Sequence, residues 1–411
     1  MRETRDIVAL WREATGQKAG APAECALVTL VRLEGSSYRK PGARMLLAGA
    51  AQAGSISGGC LEEEVARKAA WMTRSGAVLQ RYSTLFDDTS EIPYGLGCGG
   101  VVDLLLEPLR LPETQALLMA LERSLQGEPQ IVATLAPEAD APLARMVWNA
   151  SGAVLFSSAG LTPAAQMQLA AQALQNAEAQ PPRHTESTLR VDGRERTLFV
   201  ERIQPPQRLF VFGAGRDAQP LVRTAHLLGW TVIVADGRAQ LARAENFPEA
   251  ASVHTLPSDV AQFAAAIRGL GLQPADAAVL LTHSYAQDRL LLPLLLPLGL
   301  RYLGLLGARH RSRLLLLEAA EQLGERVQDC LERVHAPVGL NLGGDTPESV
   351  ALAIVAEIQA VLHGREEQLR IGQDRSLLEA SAQPYVPVAC PLDAALEPAG
   401  ASNGTEAAGA P

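Results

Sequence analysis

Leu209-Phe-Val-Phe-Gly-Ala-Gly-Arg-Asp-Ala218, then Leu221 to Leu228, then Thr231-Val-Ile-Val-Ala-Asp236, is the stretch that decides the fold. The first residues make a short apolar strand, and Gly213-Ala-Gly215-Arg-Asp-Ala218 has the form G-x-G-x-x-A. An amphipathic segment of helical period follows, and a second apolar strand ends on an acid. Glycine at Gly213 and Gly215 permits a tight turn and close approach to a pyrophosphate held at the helix N-terminus. Asp236, about 20 residues further on, is placed to accept ribose hydroxyls. Arg238 suits a phosphorylated ribose instead, so NAD and NADP both stay open. Pro220 falls in the first helical turn, where a missing N–H is tolerated. This order predicts a Rossmann-type unit, and a turn kept only for packing is the alternative to a bound nucleotide.

Outward from that stretch, short strands and helices alternate from Arg208 on, which specifies a parallel sheet covered by helices over 207–364. Leu290 to Leu306, interrupted by Pro293, Pro297, Gly299, Arg301 and Gly304, reads as a buried helix followed by a strand. Thr282, His283 and Asp288 follow the strand Ala277-Ala-Val-Leu-Leu281, at the edge where open α/β sheets bind ligands. Arg309, after Gly304-Leu-Leu-Gly307, suits pairing with an anionic group; a hydrogen-bonded structural role is the competing reading for His283, and a surface salt bridge for Arg309. Thr346-Pro-Glu348 starts a helix, with Thr as N-cap and Pro at its first position.

In the other direction, Gln204-Pro-Pro-Gln207 reads as a linker and closes an N-terminal α/β domain at 1–204. That domain opens with a helix from about Thr4 to Thr15 and a buried strand from Cys25 to Leu33. Its stretch 111–204 carries no chemical motif. It offers a helix over Thr114–Gln126, strands near Ile131 and Met146, a turn at Asn149 to Gly152, a helix from Thr162-Pro163, and a hairpin turn at Asp192-Gly193. Residues 365–411 form a C-terminal extension, Ala-, Pro-, Gly- and Ser-rich beyond about 381 and expected to be largely disordered.

Composition narrows the function classes. With 411 residues, 47% hydrophobic and 20% charged, the chain is globular, and no apolar run reaches the ~18 residues of a membrane span. Charges at Arg2, Glu3, Arg5 and Asp6 stand where a signal peptide needs an apolar core, so a cytoplasmic location is expected. A net charge of −9 argues against binding nucleic acid. The five cysteines include no CxxC pair and do not make a disulfide framework.

Two of the cysteines sit among glycines. Gly54-Ser-Ile-Ser-Gly-Gly-Cys60 runs directly into Leu61-Glu-Glu-Glu-Val, which places Cys60, after Gly58 and Gly59, at or near a helix N-terminus that favours thiolate. The competing reading is a small residue in a glycine turn. Cys98, within Gly95-Leu-Gly-Cys-Gly-Gly100, precedes a strand and gains no helix dipole. Cys25, Cys330 and Cys390 read as structural. A zinc site at Cys60 and Cys98 would need two further ligands, and no histidine precedes His184.

Together these segments resemble a known family. Arg39-Lys-Pro-Gly-Ala-Arg-Met45, Gly54 to Glu62 and Gly95 to Gly100 are similar to the N-terminal signature of the XdhC/CoxI family, the xanthine dehydrogenase accessory proteins. Phe212 to Ala218 with Asp236-Gly-Arg238, Leu281 to Asp288, Tyr302 to Arg309 and His335 to Glu348 are similar to that family's Rossmann domain. The resemblance spans about 1–110 and 208–363. It implies a molybdenum cofactor (molybdopterin) bound and protected, a cysteine desulfurase assisting its sulfuration, and an apo molybdenum hydroxylase such as xanthine dehydrogenase as recipient. Carried over by position, Cys60 is the expected contact to the cofactor and its metal, and Cys98 the second. Arg39 and Arg44 suit its phosphate, with solvated loop charges as the alternative. This reading makes the chain a maturation factor rather than a catalyst. The alternative is an NAD(P)-dependent oxidoreductase, though no Tyr-x-x-x-Lys or comparable proton donor follows the turn. A scaffold that only recruits partners is a third reading, and a homodimer stays open.

Overall fold

The computed structural model describes residues 2–16, 25–59, 61–83, 100–174 and 183–365. Cys60, Cys98 with the glycines before it, and the C-terminal extension with Cys390 lie outside the described residues. The amphipathic opening stretch forms α1 (Arg2–Gly16), which buries Ile7, Val8 and Trp11. Next come β1 (Ala26–Glu34), β2 (Arg44–Ala48), β3 (Ala51–Gly54), α2 (Glu62–Met72), β4 (Val78–Ser83) and β5 (Val101–Pro108). Their strands make an antiparallel sheet in the order β3-β2-β1-β5-β4.

The motif-free stretch builds a second sheet of the same kind. It contains α3 (Pro112–Leu125), β6 (Gln130–Leu135), β7 (Ala144–Asn149), β8 (Val154–Ser157), α4 (Pro163–Leu174), β9 (His184–Val191) and β10 (Arg194–Ile203). These strands pair antiparallel in the order β8-β7-β6-β10-β9. Local chemistry sets its boundaries: Thr162 Oγ1 accepts from Ala165 N–H at the start of α4, and the β9–β10 turn has Asp192 and Gly193 at φ 49° and 81°.

β1 is buried at every position from Ala26 to Val31, with Thr29 its one polar member there, because both of its faces are covered. Ala26, Val28 and Leu30 pack with Val65 and Ala69 of α2. Leu27 joins α1, α3 and the second sheet, and Val31 meets Phe199 of β10. The far face of the second sheet is closed by α4 through Ala165 and Leu169. An antiparallel sheet buried on both faces loses the alternation that usually marks it.

From β11 (Arg208–Phe212) the topology changes. α5 (Ala218–Leu227), β12 (Thr231–Asp236), β13 (Ser252–Thr255), α6 (Val260–Gly269), β14 (Ala277–Leu280), α7 (Tyr285–Leu295), β15 (Tyr302–Leu305), α8 (Arg309–Leu323), α9 (Val327–Glu332) and α10 (Pro347–Leu362) complete the described chain. The sheet is parallel in the order β13-β12-β11-β14-β15, as a Rossmann unit requires. α5 and α10 cover one face, and α6, α7 and α8 the other. Among the described residues no helix is long and apolar enough to cross a membrane.

Candidate functional site

The strand order reverses between β11 and β14, and the segments leaving both strands meet there. Gly213 has φ +129°, and a Cβ on it would collide with the Leu281 carbonyl, so only glycine fits. His283, two residues past Leu281, takes a left-handed φ of 55°. Its Nε2 lies 2.7 Å from Asp217 Oδ2 in the glycine turn, and both side chains are partly exposed. The expected Gly213, Gly215 and His283 are thus brought together, and Asp217 is a member that the G-x-G-x-x-A pattern does not mark.

Asp236 ends β12 fully buried. One oxygen accepts from the Ala214 N–H at 2.6 Å, and both accept from Arg238 side-chain or backbone donors at 2.7–3.0 Å. Burial by itself would raise its pKa, but these donors, Arg238 first, hold the carboxyl below its ordinary value. The acid therefore clasps the glycine turn to the end of β12, and Arg238 covers it from the solvent side. Behind His283, Asp288 accepts from Thr282 Oγ1 and from Arg311 Nη2, each at 2.6 Å. Burial raises the Asp288 pKa against the pull of those two partners. The arginine that pairs here is Arg311, while Arg309 opens α8 with its side chain exposed.

A second buried acid braces the far edge of the same sheet. Glu357 on α10 accepts from Tyr302 Oη at 2.5 Å and Gly339 N–H at 2.8 Å, and lies 3.2 Å from His335 Nδ1. Burial works to raise its pKa, yet His335 and Tyr302 hold it below the usual carboxylate range. The His335 and Tyr302 rings stack at 4.4 Å. These contacts tie the His335-to-Glu348 motif to β15, which is a structural use for it.

In the N-terminal half, the loop that leads to position 60 is wrapped around Glu62. Its carboxylate accepts from the backbone N–H groups of Ile56, Ser57 and Gly59 at 2.8–3.1 Å and from the Ser57 hydroxyl. Ser57 Oγ in turn accepts from Leu61 N–H at 3.2 Å. Burial opposes ionisation of Glu62, but these donors hold its pKa below the ordinary value. The donors that would otherwise cradle an outside anion are thus filled from within. Gly58 and Gly59 remain exposed, with open space where a Cβ would stand. Position 60 falls between exposed Gly59 and buried Leu61, just ahead of α2, whose first turn carries Glu62, Glu63 and Glu64.

The two arginines expected at a phosphate part company. Arg39 is half-exposed and pairs with Glu3, which Ser55 also approaches. Arg44 points the other way, into the seam between the two antiparallel sheets, where it is buried and paired with Glu201. Cys25 and Cys330 are buried and form no disulfide, in keeping with a structural reading of both.

An open parallel sheet of order β13-β12-β11-β14-β15, with a glycine turn at its switch point, defines a protein with a Rossmann-like domain, here preceded by two antiparallel sheets. Residues 209–358 match the XdhC Rossmann domain, and residues 19–83 match the XdhC and CoxI family. A Bacillus subtilis (strain 168) protein named as a probable xanthine dehydrogenase subunit is 30% identical over 344 residues, which cover 82% of this chain and 92% of that protein. Uncharacterized protein YqeB of Escherichia coli (strain K12) is 32% identical over 166 residues, 40% of this chain and 28% of the relative. A crystal structure of a xanthine dehydrogenase from Bacillus halodurans superposes with a TM-score of 0.66 and 25% identity, covering 90% of this chain and 99% of that one. The chain belongs to the XdhC and CoxI family.

Proposed function

We propose that this protein is a cytoplasmic accessory factor that binds the molybdenum cofactor, supports its sulfuration with a cysteine desulfurase and delivers it to an apo molybdenum hydroxylase of the xanthine dehydrogenase type. Family membership and relatives named for xanthine dehydrogenase support the pairing with such an enzyme. The observation that carries the site is the Glu62-held loop, which leaves Gly58 and Gly59 open beside Cys60. What the cofactor supplies when bound is a thiophilic metal, for which a cysteine thiolate is a matched ligand. Arg39 is the nearby cation that would exchange Glu3 for a phosphate, and Arg44, committed to Glu201, has no part in it. The test is binding of isolated molybdenum cofactor to wild type and Cys60→Ala, followed by transfer to an apo hydroxylase. Binding that is lost in the variant is expected. Equal binding by both proteins would remove Cys60, and binding by neither would remove the carrier role.

A second reading, an NAD(P)-dependent oxidoreductase, is favoured by the turn at the switch point of the parallel sheet. With Asp236 buried beneath Arg238, a nucleotide reaching the end of β12 meets a guanidinium, which suits a 2′-phosphate better than a free ribose. Titration with NADPH and NADH, followed by nicotinamide fluorescence, should then show preference for NADPH that Arg238→Ala abolishes. No response to either nucleotide would end this reading.

A further inference from the structure

A small cavity of about 20 Å³ lies in the seam between the two antiparallel sheets. Thr29, Arg44 and Glu107 line it from the first sheet, and Arg145, His184 and Glu201 from the second. Its charges are arranged in pairs. Arg145 Nη1 donates to Glu107 Oε1 at 2.8 Å with both side chains buried, and Arg44 pairs with Glu201. Even so, four polar atoms of the residues that line it find no hydrogen-bond partner among the described residues: Thr29 Oγ1, Arg44 Nε, Glu107 Oε2 and His184 Nδ1. Thr29, Arg44 and Glu107 are 3%, 7% and 0% exposed, so bulk solvent does not serve them. Buried polar groups are almost always satisfied, and several failures around one void point to a missing partner.

The chemistry of the set identifies that partner. His184 Nε2 lies 2.9 Å from the Val31 carbonyl, which only accepts, so Nε2 carries a proton; burial lowers the pKa of the ring and keeps it neutral, which leaves Nδ1 a bare acceptor. Glu107 Oε2 is also an acceptor, Arg44 Nε is a donor, and the Thr29 hydroxyl can be either. An anion has nothing to donate to Glu107 or His184. A metal ion would face the guanidinium groups of Arg44 and Arg145. Water both donates and accepts, and a void of this size holds one or two molecules. The arrangement is continuous across the seam, because Thr29 stands opposite Arg44 in register, Arg44 pairs with Glu201, and Glu201 stands opposite His184.

We infer that the seam is a built internal water site, in which one or two ordered waters join Thr29, Arg44 and Glu107 of one sheet to His184 of the other. A crystal structure of the full chain, at a resolution that shows ordered solvent, tests this in wild type and Thr29→Val. The expected result is a wild-type peak within about 2.7–3.2 Å of at least two of the four atoms. In Thr29→Val the peak should be weakened or displaced. A dry seam with the four atoms re-paired within the chain would overturn the inference. So would a peak that gains anomalous signal when crystals are soaked in bromide, which would mark an anion. Because the wild-type map decides the matter alone, failure of the variant to fold leaves the inference open to refutation.

Discussion

At the scale of single residues, the two functional loops are organised by acids that turn inward. Glu62 holds the loop before Cys60, and Asp236 holds the Rossmann turn; each satisfies backbone N–H groups that would otherwise point at a ligand. Glu62→Gln should therefore destabilise the protein at neutral pH by about 1–3 kcal/mol, as expected for losing a charged acceptor of several hydrogen bonds. The pH dependence has a definite sign. The folded pKa of Glu62 is depressed, so its contribution is present above the unfolded value and is lost as pH falls through the folded one. Urea unfolding of wild type and Glu62→Gln should show a gap that narrows as pH falls below the ordinary glutamate range, and a gap constant with pH would deny the carboxylate this role. Gly213→Ala places a methyl group against the Leu281 carbonyl at a φ that disfavours it. A loss of roughly 3 kcal/mol or more is expected in denaturant titration, with near-neutrality arguing that the turn is not held as described.

Elements are joined by polar contacts where the two antiparallel sheets meet. The Arg145–Glu107 pair crosses that seam with neither side chain reaching bulk solvent, and Arg145 also donates to Thr134 Oγ1 and the Glu113 carbonyl. Removing one partner leaves a buried charge alone. Arg145→Met should therefore cost about 3–5 kcal/mol, whereas Arg145→Met with Glu107→Leu should recover much of that loss. Equal stability of the single and double variants, measured by thermal unfolding, would show that the pair is not desolvated as the seam implies. Four strands that sequence reading leaves unnamed, β3, β4, β8 and β13, are all sheet edges. Edge strands are short and half-covered, so they carry little of the apolar pattern by which strands are found.

For the molecule as a whole, the apolar cores follow the chain in two blocks. Those around the parallel sheet draw only on residues from Leu209 to Leu362, and those of the antiparallel sheets only on residues from Ile7 to Ile203. A fragment of residues 207–365 should therefore fold by itself and melt in one cooperative transition by circular dichroism. A fragment without a cooperative transition would mean that the parallel sheet depends on the preceding half.

The Rossmann unit was legible because its signals are local. A glycine turn, a strand on each side of a helix and an acid at a set distance are all written within Leu209 to Asp236, and helix caps such as Thr162 and Thr346 act over three residues. The likeness of the Gly54–Glu62 stretch to a family signature was equally local. What side chains do after the chain closes is not. That Arg44 turns to Glu201, that Asp217 meets His283 and that Asp288 takes Arg311 rather than Arg309 depend on residues brought together by strand register and sheet packing. The same holds for residues 111–204, where no motif exists to be read. Their antiparallel sheet is closed by the pairing of β6 with β10, strands far apart in sequence, which no local signal announces.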